Sequence, residues 1–148
     1  MWFYDGLEFT DEMIGDNVGF VYMIINHSNN KKYIGKKLFT KSKSYQKNKK
    51  KRKTRVSSDW LNYYGSNKEL IHDVKSLDKH QISREILRLC KSKGELSYYE
   101  TKYIFDSDSL LRDDYYNSWV SCRINANVLM NIKKNKALLF NKFEVSSS

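Results

Sequence analysis

Hydrophobic positions first fall into a regular pattern between Val18 and Asn26, VGFVYMIIN, an apolar and β-branched run that predicts a strand. HSNNKK then supplies turn residues. KYIGKKLF resumes the pattern as a second strand with Gly35 near its middle, so the two runs predict a hairpin. Leu70, Ile71, Val74 and Leu77 recur at helical spacing behind Ser66 and Glu69, a capping-box pair, and predict a helix over 66–77. HQISREILRLC, from His80 to Cys90, is ambiguous by period, but its place and its ILRLC ending predict a third strand. Ser92 with Glu95 gives a second capping box. It opens a helix to about Asp106 whose apolar face is Leu96, Tyr99, Tyr103 and Ile104.

The flanks are less patterned. Residues 1–17 read as an N-terminal arm, irregular or a short strand, with five carboxylates and no basic residue. DDYYN, Asp113 to Asn117, reads as a loop. Residues 121–148 read as an extension, with a candidate helix over 125–143 bearing Val128, Leu129 and Ile132 and a frayed serine tail. A chain of 148 residues suits one main domain with a buried core. Residues 18–120 are expected to form it.

Charge changes this picture in one place. The net charge is +10, and Lys41 to Arg55, KSKSYQKNKKKRKTR, carries nine cations and no acid. The rest of the chain holds 18 basic residues against 17 acidic. Such dense like charge, without an apolar period, predicts a mobile loop inserted at 41–55. It also predicts a polyanionic partner, with Lys43, Lys47, Lys49, Lys50, Lys51, Arg52, Lys53 and Arg55 as phosphate contacts. A solvated charged tail is the plain alternative.

No apolar run approaches the roughly 18 residues of a membrane span. The acidic N-terminus does not read as a secretory signal. Cys90 and Cys122 make neither a metal pattern nor a disulfide framework and read as reduced, buried thiols of a cytoplasmic protein. No protein partner is evident.

Candidate chemistry comes from four positions. Ten residues separate Tyr22 from Tyr33, and a tight hairpin can place both on neighbouring strands. Gly35 then leaves room for a backbone or ligand to approach. Lys36 or Lys37 could lower a phenol's pKa. Spacing alone favours the reading of both as ordinary strand aromatics. Glu100 lies four residues from both Leu96 and Ile104, on or beside the apolar stripe, where a carboxylate needs a cation or a metal. A structural ion pair would satisfy it too. Asn117 alone reads as a turn residue.

Taken together these residues resemble the GIY-YIG nuclease superfamily. Phe20-Val21-Tyr22 stands where the family has its first signature, and Tyr33-Ile34-Gly35 matches the second. Glu100 and Asn117 follow in order and spacing. YIGKKLF, SDWLNYYGSNKEL, GELSYYETKYIF and YYNSW look like the phage homing-endonuclease branch. The resemblance spans about Val18 to Asn117.

It implies an α+β fold, a small three-stranded antiparallel sheet flanked by helices. It implies hydrolysis of DNA phosphodiesters with one divalent ion, Mg²⁺ or Mn²⁺. Glu100 would hold the metal, Tyr33 or Tyr22 would activate or position water, and Asn117 would orient the site or support its loop. The family's usual first-helix arginine is missing. Lys43 stands at its nominal place, and Lys36, Arg52 or Arg55 are the candidates to supply its charge. The rival expectation is a nucleic-acid-binding protein of the same fold that does not cut.

Overall fold

The computed structural model describes residues 1–130 and 132–135. Along the chain come β1 (Phe3–Tyr4), β2 (Leu7–Glu8), β3 (Gly19–Asn26), β4 (Lys31–Leu38), β5 (Thr40–Lys47), β6 (Lys50–Ser57), α1 (Lys68–Ser76), β7 (Ile82–Cys90) and α2 (Lys93–Asp106). The class is α+β as expected, but the sheet is larger than three strands. Five strands run in the order β2-β1-β7-β3-β4, and β5 pairs with β6 as a separate two-stranded ribbon. The expected three strands form the antiparallel centre. The two additional strands come from residues 3–8, where β1 joins β7 in parallel and turns back into β2.

Alternation along β3 builds two cores. Phe20, Tyr22 and Ile24 face one side with Trp2, Phe9, Phe39, Trp60 and Leu70. Val21 faces the other with Ile34, Leu96 and Ile104, under α2. Trp2 is 1% exposed, sits edge-on to Phe20 and Tyr22, and donates its indole N–H to the Trp60 carbonyl at 2.7 Å. The preface is therefore tied to the core through its aromatics, which its acidity conceals in the sequence.

The 41–55 segment is a ribbon and not a loop. Its turn residues Asn48 and Lys49 have φ of 53° and 60°, the left-handed pair that a tight hairpin turn requires. The register disperses the like charges. Lys41 faces Val56, Ser42 faces Arg55, Lys43 faces Thr54, Ser44 faces Lys53, Tyr45 faces Arg52 and Gln46 faces Lys51. Only Lys47 and Lys50, beside the turn, set cation against cation. The root is fixed by Phe39, 3% exposed, and by Ser58, whose N–H donates to the Phe39 carbonyl and whose hydroxyl donates to that of Leu38.

Three smaller expectations change. Asn67, not Ser66, caps α1, its Oδ1 accepting from the Leu70 N–H at 3.0 Å. Cys122 is exposed, while Cys90 is buried and its thiol is pushed up to about 12 by desolvation. Of the C-terminal helix expected over 125–143, the described part holds a 3₁₀ turn at Ala126–Leu129 and then helical residues at 130 and 132–135. The remainder lies mostly outside the described residues.

Candidate active site

The edge strand β4 carries the site. Residues 114–117 run along part of its outer rim. The Lys32 N–H donates to the Asp114 carbonyl at 2.9 Å, and the Tyr116 N–H donates to the Lys32 carbonyl at 2.7 Å. Asn117 completes the seam with its amide. It accepts from the Ile34 N–H at 2.9 Å and donates to the Ile34 carbonyl at 2.8 Å. Its side chain thus substitutes for one more residue of pairing strand, and both of its polar atoms are used in doing so. Beyond Ile34 this seam stops and a cleft opens.

That cleft, about 380 Å³, is lined by Tyr22, Tyr33, Lys36, Glu100 and Asn117, together with Ile34, Ser66, Asn67, Ile104 and residues 118–121. Gly35 explains how the two tyrosines reach it. It sits opposite Tyr22 in the register, and Tyr33 sits opposite Ile24, so the phenols are diagonal neighbours on one face. Their ring centroids are 6.2 Å apart. A β-carbon at Gly35 would land on the Tyr22 hydroxyl and within 3.0 Å of Tyr33. The absent side chain is the space that the Tyr22 phenol occupies.

The two phenols are not equivalent. Tyr22 is 1% exposed, and its pKa stands well above the usual phenol range. Burial is the largest cause, followed by the neighbouring hydroxyls of Tyr63 and Tyr33. Tyr33 is half-buried at the cleft wall, with its hydroxyl 3.2 Å from Ser66 Oγ. Burial raises its pKa too, against a lowering by the Ser66 hydrogen bond. Neither phenol ionises near neutral pH in this environment.

Glu100 comes from the middle of α2, whose N-terminus is set by Ser92 Oγ accepting from the Glu95 N–H at 3.0 Å. Leu96 and Ile104, a turn on either side, are buried under the sheet, and this carries the carboxylate inward. Its side chain is 16% exposed. Desolvation raises its pKa, and the Lys36 ammonium and main-chain N–H pull it back. Lys36 Nζ lies 4.0 Å from Glu100 Oε1 and donates to Ser97 Oγ at 2.8 Å. The carboxylate thus lines the cleft with one cation at the limit of ion pairing.

Arg55 stands elsewhere. Its guanidinium is held on the ribbon by Thr40 Oγ1, the Thr40 carbonyl and Ser42 Oγ, at 2.8–3.0 Å. Lys43, Lys47, Lys49, Lys50, Lys51, Arg52 and Lys53 are likewise exposed on the ribbon and line no part of the cleft. Lys36 is the cleft's cation.

Sequence reading missed several neighbours. Ser66, a cap by its sequence pattern, lines the cleft beside the Tyr33 hydroxyl. Trp119 lines the cleft while 73% exposed. The string YYNSW carried it, but no periodicity marks an exposed loop aromatic. Arg84 is 5% exposed and lies between the Trp2 and Tyr64 rings, donating to the Leu61 and Tyr63 carbonyls. It anchors the loop that carries Tyr63.

A family profile described as "Putative endonuclease segE, GIY-YIG domain" matches residues 2–120. The chain belongs to this GIY-YIG family. The match takes in residues 2–17 as well, in keeping with the place of Trp2 in the core. No curated protein and no solved structure matches the chain.

Within the described residues no three His, Cys, Asp or Glu side chains converge on a metal position. The donor set still fits a hard cation. Mg²⁺ retains several waters and is held by one or two carboxylates plus substrate phosphate oxygens. Glu100 is such a carboxylate, at the wall of an open cleft whose other polar side chains are hydroxyls, the Lys36 ammonium, two amides and the Trp119 indole. Among the described residues no helix is long and apolar enough to cross a membrane.

Proposed function

We propose that this GIY-YIG domain hydrolyses DNA phosphodiesters with a single divalent cation, Mg²⁺ or Mn²⁺. The observation that carries the reading is one cleft lined by Tyr22, Tyr33, Lys36 and Glu100, four residues drawn from two strands and a helix. Glu100 holds the cation. When bound, that cation supplies positive charge to the phosphate and makes an attacking water more acidic.

The protein's own groups do the rest. Tyr33 is the accessible phenol, and its Oη hydrogen-bonds to the attacking water and positions it. Tyr22 is too enclosed to serve as the base and acts as the floor against which the Tyr33 ring packs, with 6.2 Å between the ring centroids. Lys36 offsets charge that accumulates on the phosphate and keeps Glu100 ionised. Asn117 shapes the wall by closing the rim of β4, and Gly35 makes room for Tyr22. Cations of the ribbon grip the DNA beside the cut.

The test is plasmid nicking in Mg²⁺ or Mn²⁺ against EDTA, with Glu100→Ala as control. Metal-dependent cutting that vanishes in the variant supports the assignment. Gel retention without cutting, under several divalent ions, supports the second reading, a non-cleaving DNA-binding protein. One observation favours that second reading. The cleft contains a lysine already engaged with Ser97 where the resemblance calls for an arginine. A homing-type role predicts one or a few discrete cut positions in a long DNA, and random fragmentation speaks against it.

A further inference from the structure

Among the described residues, the ribbon formed by β5 and β6 is a structured element that packs on little beyond its root. Each strand has eight residues, which spans about 27 Å at 3.4 Å per residue. Every residue from Lys41 to Arg55 is exposed. An isolated two-stranded hairpin is marginal in water, and this one has no apolar face against the body of the protein. What it does have is a fixed root, a tight turn and a register that spaces its cations.

The register also sorts eight of the nine cations onto two unlike faces, with Lys49 in the turn, a distinction that the linear sequence hides. Lys41, Lys43, Tyr45 and Lys47 share a face with Lys50, Arg52 and Thr54. Ser42, Ser44 and Gln46 share the other with Lys51, Lys53 and Arg55. On the second face the Arg55 guanidinium is already engaged by Thr40 and Ser42. On the first, Tyr45 is 44% exposed and stands directly across from Arg52. Its ring is the ribbon's one large side chain with an apolar surface, and it is flanked along its own strand by Lys43 and Lys47.

We propose that this ribbon lies in the major groove of double-stranded DNA with its Tyr45–Arg52 face toward the bases. The proposal rests on the nuclease reading only for the choice of DNA as the polyanion. The major groove is about 12 Å wide and admits a two-stranded ribbon. The minor groove, about 6 Å wide, takes one only where the duplex is bent and the groove widened. Arg52 is built to reach guanine acceptors, and Tyr45 to cover thymine methyl groups. Lys41, Lys43, Lys47 and Lys50 then meet the flanking phosphates. The Lys51, Lys53 and Arg55 face looks away. The substrate follows from this mode: a duplex, read in part by sequence, and not a single strand.

Equilibrium binding of the Glu100→Gln protein in EDTA tests this apart from catalysis. Two triple variants remove three charges each, K43Q/K47Q/R52Q from one face and K51Q/K53Q/R55Q from the other. The first should weaken duplex binding on the order of 10²-fold at 0.1 M salt and flatten the log–log salt slope by about 1.8, the share of its two phosphate-contacting lysines. The second should change both much less. Tyr45→Ala should cost about tenfold with the slope unchanged, since it removes no charge. Bulky C5 substituents on the pyrimidines should weaken binding, and a minor-groove ligand such as netropsin should not compete.

Equal losses from the two triples, or equal affinity for a single strand of the same length, would overturn the groove assignment. So would displacement by netropsin. If these binding results hold and the wild-type protein never cuts, the nuclease reading fails and the ribbon assignment stands.

Discussion

At the scale of single residues, the site turns on what burial does to three titratable groups. Both phenols are held protonated at neutral pH, so Tyr33 works as a proton-bearing hydroxyl poised at the water and not as a resting phenolate. Tyr33→Phe removes only that hydroxyl and should lower cutting by about 10²-fold or more with duplex affinity unchanged, measured by single-turnover cleavage and by binding in EDTA. Glu100 gives an opposite signature in stability. Its carboxyl is raised in the folded state, chiefly by desolvation. An acid with a raised folded pKa favours the fold while protonated, below its unfolded value. That contribution is lost as pH rises through the raised folded value, so near neutrality the ionised group is a cost.

Glu100→Gln should therefore abolish cutting while Tm at pH 7 stays level or rises by at most about 3 °C. Mn²⁺ should raise Tm of the wild type and leave the variant unmoved. A clear drop in Tm of the variant would mean that the Lys36 pair is structural. Gly35→Ala forces a β-carbon into the Tyr22 ring position and should cost about 1–3 kcal/mol in denaturant unfolding, with cutting lost as the two phenols separate.

At the scale of elements, strands β3, β4 and β7 and both helices were legible, because each is a run long enough for its period to show. Glu100 was legible for the same reason: its spacing from Leu96 and Ile104 fixed its face. The ribbon was not. Its pattern alternates, but between cations and small polar residues, and a rule that looks for apolar periodicity sees only a charged tract. What decides its form is pairing across the strands, which sets six cations against neutral partners, and a turn that accepts two left-handed residues. Lys49 is the poorer fit at its φ of 60°. Lys49→Gly should tighten the ribbon by about 1 kcal/mol, read as slower amide exchange from Lys43 to Thr54 with global Tm little changed. Asn117 was legible as a position and illegible as a role, since nothing local announces that its amide pairs with a main chain 83 residues away.

At the scale of the whole molecule, the sheet is completed from the start of the chain. Five carboxylates over the first sixteen residues mask two aromatic anchors, and hydropathy averaged over that stretch reads as a loose arm. Trp2 meets Phe20, Tyr22 and the Arg84 guanidinium, and Phe9 stacks on Phe39. Trp2→Ala should cost about 3–5 kcal/mol, and it should also damage cutting, because the ring it removes backs the Tyr22 phenol. Urea unfolding together with nicking assays checks both.

The ribbon carries one more consequence at this scale. A two-stranded ribbon has two open rims, each a row of unused main-chain donors and acceptors of the kind that recruits a second copy. Mutual repulsion between its lysines is what keeps such rims apart. Strip that charge, by substitution or by swamping it with a short polyanion, and the same strands become adhesive. Turbidity and sedimentation of charge-depleted variants should show self-association well before any loss of the folded core.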